Sequence, residues 1–401
     1  MEYRLKIDGL YKIFGPDAAR AVHLLSKGAD KNRILSELNM VVGLNDVSLS
    51  VPSGAIYMIM GLSGSGKSTL ARCINRLHEP SAGRILLDGR DIVQLSEEDL
   101  REVRRTRISM VFQHFALLPN KTVLENVEFG LKLRHIPPAE RRRRAEEVLA
   151  VVGLSSWGYH RPGELSGGMR QRVGLARALA TDADVLIMDE AFSALDPLIR
   201  SDMQDELLRL QQKLQKTILF ITHDFQEALK LGNRIAIMAD GQVVREGSPS
   251  DIVLDPRSDY VASFTREIDR SRLFDAASVM VPVRRTDAVG EIRIVPGVDG
   301  GDGIAVDSAM RVLGTVKGRD MERLRDGGSP QTVLSADFVT IRDDAKLIDV
   351  ARAYKPGHAL LVVDDAGCMV GQATPDRVLA QIASGTKPAN PVATGDHHVQ
   401  S

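Results

Sequence analysis

The feature that most constrains this chain is a glycine-rich segment between an apolar run and a helix-like run. In order, the segment reads Gly61, Leu62, Ser63, Gly64, Ser65, Gly66, Lys67 and Ser68. The apolar run Ile56–Met60 precedes it, and the helix-like run Thr69–Arg76 follows it. Glycines allow the backbone to bend so that successive N–H groups face phosphate oxygens, and the helix N-terminus adds a favourable potential. The sequence therefore predicts a phosphate-binding loop at a strand-to-helix turn.

The residues of this loop have separate expected roles in nucleotide binding. Lys67 is expected to bridge the terminal phosphates, and Ser68 is expected to ligate Mg²⁺. The predicted nucleotide-binding set in this region is Gly61, Ser63, Gly64, Ser65, Gly66, Lys67, Ser68 and Thr69. Kinases, GTPases and motor proteins all have a loop of this kind, so it does not by itself select an activity.

Two further apolar strands lead into polar side chains that suit phosphoryl transfer. Val185–Met188 precedes Asp189 and Glu190, and another apolar run precedes His223. Ligands bind beyond the carboxyl ends of the strands in open parallel sheets, so these side chains are expected near the loop. Asp189 would hold Mg²⁺ through water, Glu190 would polarise the attacking water, and His223 would reach the γ-phosphate. A lone histidine after a strand is more often a structural contact, but three converging strand ends favour the functional interpretation.

Short apolar strands alternate with helix-like segments through the first two thirds of the chain. The later strands are predicted at Ile108–Phe112, Val185–Met188, Ile218–Ile221 and Ile235–Met238. This alternation predicts an α/β fold in which a parallel sheet is covered by helices on both faces. A mostly helical block at about residues 96–181 is predicted to form an inserted helical subdomain. Before the loop, a strand ending at Phe14 is followed by a helix-leaning segment with apolar residues at helical spacings.

The length of 401 residues predicts more than one domain. Prolines and a polar run place a boundary near residue 272. Beyond it, Val312–Gly314 and Met369–Gly371 each end a strand-like run before a helix-like run, a weak repeat at a separation of 57 residues. Two related small modules are predicted, at about 275–328 and 332–385, and the stretch 386–401 is predicted to be a disordered tail.

The composition argues against some partners and compartments. The 52 basic and 53 acidic side chains give a formal net charge of −1, which offers no global reason to expect nucleic acid as a partner. Cys73 and Cys368 are far apart and lack metal-site spacing, which suggests a reducing compartment. The sequence has neither a signal-peptide pattern nor the roughly 18 consecutive apolar residues of a membrane span. If the protein serves a membrane, it is expected to dock from the cytosol.

A second glycine-containing segment selects among the nucleotide-binding families. It reads Leu165, Ser166, Gly167, Gly168, Met169, Arg170, Gln171 and Arg172, and it resembles the signature loop of ABC transporter ATPases. A serine hydroxyl, glycine N–H groups and a helix N-terminus together form an anion-binding site. The resemblance implies that Ser166, Gly167 and Gly168 contact the γ-phosphate of a nucleotide held by a second copy of the chain.

The other motifs of that family occur in the expected order. Phe14, or alternatively Tyr11, resembles the aromatic residue that stacks on adenine. Gln113 resembles the Q-loop glutamine that contacts Mg²⁺ and the permease, and Ser193–Asp196 resembles the D-loop. The resemblance implies an ABC ATPase of the P-loop NTPase fold, with a RecA-like core and a helical subdomain over residues 1–272. It implies ATP and Mg²⁺ as cofactors, Gln113, Lys67, Glu190 and His223 as catalytic residues, Ser68, Gln113 and Asp189 as metal ligands, and Asp196 as a nucleotide contact.

Within that family, the amino-acid sequences of three segments are similar to those of the ATPase subunits of glycine betaine/proline importers. The segments are Met60–Gly64, Val111–Pro119 and Asp189–Arg200, and Ala191 is informative because many other importer ATPases have proline there. The implied partners are a second copy of the chain, an integral membrane permease and, through it, an extracytoplasmic substrate-binding protein. The implied location is the cytoplasmic face of the inner membrane. Two alternatives stay open: the ATPase of another amino-acid importer such as methionine, and a soluble nucleotide switch.

The betaine subfamily usually carries two C-terminal α+β CBS modules, and the 57-residue repeat fits that arrangement. The CBS ligand pattern has a hydroxyl three residues after the strand-ending glycine and an aspartate six residues after it. The first copy has Lys317 in place of the hydroxyl but keeps Asp320, whereas the second keeps Thr374 but has Arg377 in place of the aspartate. Neither module is expected to form an intact adenosine site.

Overall fold

The computed structural model describes residues 2–112, 116–266, 268–290, 292–298, 302–326 and 330–383. The predicted Q-loop glutamine, Gln113, and the predicted tail 386–401 lie outside the described residues. The chain divides into two compact units, residues 1–265 and 266–401. The sequence pattern had placed this boundary near residue 272, seven residues later.

The secondary structure of the first unit begins with strands and changes to alternating strands and helices. Its strands are β1 (Tyr3–Phe14), β2 (Val41–Pro52), β3 (Ile56–Met60), β4 (Ala82–Leu87), β5 (Arg90–Asp91), β6 (Ile108–Val111), β7 (Val185–Asp189), β8 (Thr217–Ile221), β9 (Arg234–Ala239) and β10 (Gln242–Gly247). Its α-helices are α1 (Ala18–Ser26), α2 (Lys31–Leu38), α3 (Lys67–Ile74), α4 (Glu97–Thr106), α5 (Val123–Leu133), α6 (Pro138–Val151), α7 (Gly167–Ala180), α8 (Pro197–Leu214), α9 (Phe225–Leu231), α10 (Pro249–Leu254) and α11 (Asp259–Thr265).

A six-stranded sheet in the order β10-β9-β3-β8-β7-β6 forms the centre of the first unit. The strands from β9 to β6 are parallel, and β10 adds an antiparallel edge. Every residue of β3, β7 and β8 is buried, which is why these strands read as continuous apolar runs. The predicted parallel α/β sheet and its strands are confirmed.

A second, antiparallel sheet in the order β2-β1-β4-β5 was not anticipated from the sequence. Its long strands β1 and β2 pair with several register shifts along their length. The helix-leaning segment after Phe14 forms α1 and α2. Their apolar residues Ala21, Leu25 and Ile34 pack with Ile13 and Met40 in a small hydrophobic cluster on this sheet.

The region of the predicted helical subdomain contains α4, α5, α6 and α7, but it also supplies β6 to the central sheet. The N-terminus of α5 is fixed by a capping box, in which Thr122 and Glu125 each accept a hydrogen bond from the other's backbone N–H. The buried amide of Asn126 bonds Leu118 and Lys121 carbonyls and so anchors the chain that precedes α5. In the described part of the chain, no helix is long and apolar enough to span a membrane.

The second unit contains two sheets of different topology. Its strands are β11 (Val281–Pro282), β12 (Asp287–Val289), β13 (Ile292–Pro296), β14 (Gly303–Val306), β15 (Val312–Val316), β16 (Leu334–Ser335), β17 (Phe338–Arg342), β18 (Ala359–Val363) and β19 (Met369–Ala373). Its α-helices are α12 (Arg270–Leu273), α13 (Met321–Arg325), α14 (Pro330–Val333), α15 (Leu347–Ala353) and α16 (Pro375–Ala383). The sheet orders are β11-β19-β18-β17 and β12-β13-β14-β15-β16.

The two segments related by 57 residues are the strands β15 and β19, and a helix follows each of them. Around β19 the order is strand, helix, two strands and helix, with β17 and β18 parallel across the crossover helix α15. Around β15 the preceding strands β12, β13 and β14 are consecutive and antiparallel. The two halves of the second unit therefore share their last strand and helix but differ in how the chain reaches them.

Candidate nucleotide-binding site

The glycine-rich segment forms a tight loop between the fully buried strand β3 and the first residue of α3. Gly61 has φ 147° and Gly66 has φ 101°, both in the region that favours glycine. A Cβ atom at Gly61 would lie 2.3 Å from the carbonyl oxygen of Met238, and one at Gly66 would lie 2.6 Å from that of Gly43. Both positions therefore require glycine for steric as well as conformational reasons.

Lys67 is enclosed by the loop that precedes it. Its Nζ donates hydrogen bonds of 2.8 Å to the carbonyl oxygens of Gly61 and Leu62, and the side chain is buried. Burial lowers the pKa of this ammonium, and the nearby carboxylates of Glu190 and Asp189 act in the opposite direction. Two backbone carbonyls therefore hold this buried cation in place.

The hydroxyl of Ser68 lies against the carboxylate at the end of β7. Ser68 Oγ donates a hydrogen bond of 3.0 Å to Oδ1 of Asp189, whose side chain is almost fully buried. Burial raises the pKa of Asp189, and the hydrogen bond from Ser68 partly offsets that effect. A hydroxyl and a carboxylate in contact at a phosphate-binding loop are the oxygen ligands that suit Mg²⁺.

The neighbouring ends of β7 and β8 bring Glu190 and His223 together. Asp189 pairs with Ile221 in the parallel ladder, and the N–H of Glu190 donates to the Ile221 carbonyl at 3.0 Å. His223 Nδ1 lies 3.5 Å from Glu190 Oε1, with the histidine side chain exposed and the glutamate side chain mostly covered. The structure therefore places the predicted base and the predicted γ-phosphate contact side by side.

The two aromatic candidates for base stacking have different surroundings. Phe14 is 39% exposed and makes an edge-to-face contact with His78, with ring centroids 5.4 Å apart. A Cβ at Gly43 would approach both Phe14 Cε2 and Thr69 Cγ2, at 2.8 Å and 3.1 Å, so the Phe14 ring lies beside the start of α3. Tyr11 instead packs on the cluster formed with α1 and α2, and burial raises its pKa. The geometry favours Phe14.

The signature-like segment begins helix α7. Ser166 is its N-cap, with Oγ accepting a hydrogen bond of 3.3 Å from the N–H of Met169, and Gly167 and Gly168 form the first turn. Ser166 is exposed, whereas Gly168 packs against the D-loop: a Cβ there would lie 3.2 Å from Leu195 Cδ2. The remaining predicted nucleotide contact, Asp196, caps α8 by accepting from the N–H of Ile199 at 3.1 Å.

Gln171, for which no role was predicted, lies beside the predicted base. Gln171 lies on α7 and is 2% exposed. Its Nε2 donates to the Glu190 carbonyl at 3.1 Å, and its Oε1 accepts from the N–H of Ala194 at 3.2 Å. Apart from its place in the signature-like segment, nothing in the local pattern marks this residue, because both partners are 19 or more positions away.

The chain is similar to known ATP-binding transport proteins. A family model described as ABC transporter matches residues 44–193. The glycine betaine/proline betaine transport system ATP-binding protein of Salmonella typhimurium is 52% identical over 74% of this chain and 73% of its own length. The glycine betaine transport ATP-binding protein of Bacillus subtilis is 42% identical over 98% of this chain and 96% of its own. A solved dimeric bacterial ABC transporter cassette is 33% identical, covers 61% of this chain and 98% of its own, and has a TM-score of 0.54.

The ionised carboxyl of the buried Asp189 is expected to lower the stability of the folded chain at pH 7. A carboxyl with a raised pKa is harder to ionise in the folded than in the unfolded chain, so its charge reduces stability at pH 7. Asp189→Asn keeps the acceptor for Ser68 and removes this charge, and the ligand-free variant should therefore melt at a higher temperature than the wild type. The difference should shrink as the pH falls and the wild-type carboxyl becomes protonated.

Melting curves between pH 4 and pH 8 measure this effect, with Asp202→Asn as a control at an exposed carboxylate. Asp202→Asn should leave the melting temperature unchanged. An Asp189→Asn chain that melts at or below the wild-type temperature at pH 7 would show that the buried charge is already compensated.

Proposed function

Because this chain belongs to the ABC transporter family and is an ATP-binding ATPase subunit of that family, we propose that it powers the import of a quaternary amine such as glycine betaine or proline betaine. The similarity to a betaine transport protein over nearly the whole length of both chains supports this solute class. The main support for ATP hydrolysis is that the phosphate-binding loop lies close to Asp189, Glu190 and His223 at one edge of the central sheet.

The loop residues are well placed to bind the triphosphate. Lys67 is already held over the loop by the Gly61 and Leu62 carbonyls, so the terminal phosphates would give it a charged partner without a large rearrangement. Ser68 and Asp189 would hold Mg²⁺, which neutralises phosphate charge during phosphoryl transfer. Phe14 would stack on adenine. The proposed role of Gln113 as a metal and permease contact rests on the sequence resemblance alone.

Glu190 and His223 would act at the γ-phosphate. Glu190 would accept a hydrogen bond from the attacking water and polarise it. Its carboxylate is well placed for this role because Glu190 directly follows Asp189, the partner of Ser68, at the end of β7. His223 would contact the γ-phosphate, and the contact of its Nδ1 with Glu190 would fix the position of one side chain relative to the other. Binding a transferring phosphoryl group in a fixed position accounts for much of the rate enhancement in reactions of this type.

A second copy of the chain would complete each site. The exposed N-cap Ser166 and the glycines after it form a helix N-terminus that suits a γ-phosphate, as required if it contacts the nucleotide of the other subunit. The dimeric form of the similar solved cassette supports this arrangement. ATP would then favour a closed dimer, and its hydrolysis would favour reopening.

The proposed partners follow from this role. An integral membrane permease would bind near the Gln113 region at the cytoplasmic face of the inner membrane, and an extracytoplasmic binding protein would deliver the solute to it. A methionine importer ATPase is the weaker alternative, because it does not explain the whole-length similarity to a betaine protein. A soluble nucleotide switch would lack coupling to any permease.

Reconstituted uptake tests the solute class. The chain is combined in vesicles with the permease that co-purifies with it and with that permease's binding protein, and uptake of labelled glycine betaine, proline and methionine is compared with internal ATP present. We expect ATP-dependent uptake of betaine. Glu190→Gln keeps the size of the side chain and should retain ATP binding while reducing hydrolysis and uptake by at least about 100-fold. Uptake of methionine but not betaine would favour the alternative importer, and ATPase activity unaffected by Glu190→Gln would remove Glu190 from its role.

The shared site predicts a specific outcome for mixed dimers. When one subunit carries Ser166→Arg and the other carries Lys67→Ala, both lesions fall in the same composite site, and the second site stays intact. When both lesions are on one subunit beside a wild-type partner, each composite site has one lesion. Nucleotide trapped per dimer should therefore be higher in the first arrangement. The reverse order would mean that each subunit forms its site alone.

The second unit is proposed to consist of tandem CBS modules that regulate the ATPase without an intact adenosine site. Lys317 and Thr374 line one cavity of about 520 Å³ in this unit, together with Asp302 and Tyr354. The retained Asp320 lies 3.6 Å from the guanidinium groups of both Arg319 and Arg323. A lysine in place of the hydroxyl and an aspartate paired with arginines both argue against ribose and phosphate binding of the usual CBS kind.

Melting of the full chain with AMP, after the first unit is saturated with a non-hydrolysable ATP analogue, tests the loss of that site. The AMP-dependent shift should be within the error of the measurement, because neither module keeps both polar groups. A saturable AMP shift that Thr374→Val abolishes, and that an exposed Thr332→Val leaves intact, would contradict this prediction.

A further inference from the structure

The signature helix α7 and the predicted base Glu190 are joined directly by one buried side chain. Gln171 uses both ends of its amide: Nε2 donates to the Glu190 carbonyl at 3.1 Å, and Oε1 accepts from the Ala194 N–H at 3.2 Å. With only 2% of the residue exposed, these bonds are shielded from competing water. Losing either bond would leave a buried donor or acceptor without that hydrogen-bond partner, which is costly in a protein interior.

The backbone that Gln171 holds is in an unusual conformation. Glu190 has φ 49°, in the left-handed region that a residue with a side chain adopts only at an energetic cost. Its carbonyl also accepts hydrogen bonds from Ser193 N and Ser193 Oγ, at 3.2 Å and 2.9 Å. Surrounding contacts must stabilise such a conformation, and the direction of the Glu190 carboxylate depends on it.

The first turn of α7 also contacts the same D-loop segment. The Cα of Gly168 lies so close to Leu195 that an added Cβ would be 3.2 Å from Leu195 Cδ2 and 3.7 Å from the Ala194 carbonyl. Gly168 and Gln171 are three positions apart on the helix, so they lie on neighbouring positions of one face. A displacement of the helix N-terminus would therefore act on residues 190–195 at two points.

We propose that Gln171 is a positioning residue. Its hydrogen bonds make the backbone position of Glu190 depend on the position of the signature helix α7. This inference rests on the proposed function, in which the N-terminus of α7 contacts the nucleotide of the partner subunit. Contact with that nucleotide holds α7 in place, and the hydrogen bonds of Gln171 then hold the base Glu190 of the same subunit in its catalytic position. Hydrolysis at one site is thereby sensitive to occupation of the other.

Substitutions that keep the size of Gln171 but change its hydrogen bonds test this role. Gln171→Met removes both bonds, and Gln171→Glu keeps an acceptor for Ala194 while replacing the donor to Glu190. The matched control is Thr217→Val at the opposite end of β8, which removes a partly buried hydrogen bond from the Gly54 N–H to Oγ1 of the buried Thr217 with little change of shape. All variants are compared as full-length chains for melting temperature, ATP-induced dimerisation and steady-state hydrolysis.

For Gln171→Met we expect kcat to fall by roughly 10- to 100-fold, up to the loss that a displacement of about 1 Å of a reactive group causes, while KM for ATP changes by less than about twofold. ATP-induced dimerisation should persist, and Gln171→Glu should have a similar kcat defect because it also lacks the donor. Thr217→Val should lower the melting temperature comparably and leave kcat unchanged.

Two outcomes would overturn the proposal. One is a Gln171→Met chain that melts at a lower temperature but retains wild-type kcat, which would make the bonds structural only. The other is an equal loss of kcat in Thr217→Val, which would attribute the defect to general destabilisation. Failure of the shared-site dimer on which the inference rests is distinguishable from both, since the wild-type chain would then show no ATP-dependent dimerisation.

Discussion

Parallel pairing of β7 with β8, and of β8 with β3, is the constraint on which the site depends. The ladder aligns Asp189 with Ile221 and Ile59 with Ile221, so the three strands end at nearly the same level. The residues that follow them are therefore neighbours, although they come from positions near 61, 190 and 223. A slip of one residue in a ladder would turn every side chain of the slipped strand to the other face and separate the phosphate-binding loop from its carboxylates.

The surroundings at this edge of the sheet disfavour the charged forms of two functional side chains. Burial lowers the pKa of Lys67 and raises that of Asp189, so both charged forms are disfavoured by their surroundings. The nearby carboxylates of Glu190 and Asp189 partly offset the effect on the pKa of Lys67, and the hydrogen bond from Ser68 partly offsets the effect on that of Asp189. A bound triphosphate with its cation would supply opposite charges to both groups. Perturbed groups of this kind cluster at functional sites because binding and catalysis require them.

Local patterns predicted the parts of the site that lie next to strand ends. The loop at 61–68, the pair Asp189 and Glu190, and His223 each follow an apolar run, and the geometry of a parallel sheet brings such positions together. The antiparallel sheet of β1 and β2 was missed because its pairing joins strands across the inserted helices α1 and α2. Gln171 was missed for the same reason, since hydrogen bonds to Glu190 and Ala194 are not expressed in any spacing along the helix.

The second unit illustrates how far a repeat in sequence determines a repeat in structure. The copies agree where both sequences have a strand followed by a helix, at β15 with α13 and at β19 with α16. They differ earlier, because the hairpin of β12 and β13 precedes β14 whereas the helix α15 precedes β18. A crossover helix makes β17 parallel to β18, while a hairpin can only produce antiparallel neighbours. In the proposed CBS modules, Lys317 and Arg377 thus occur in two halves of different topology, which favours a role based on conformation rather than on a pair of equivalent ligand sites.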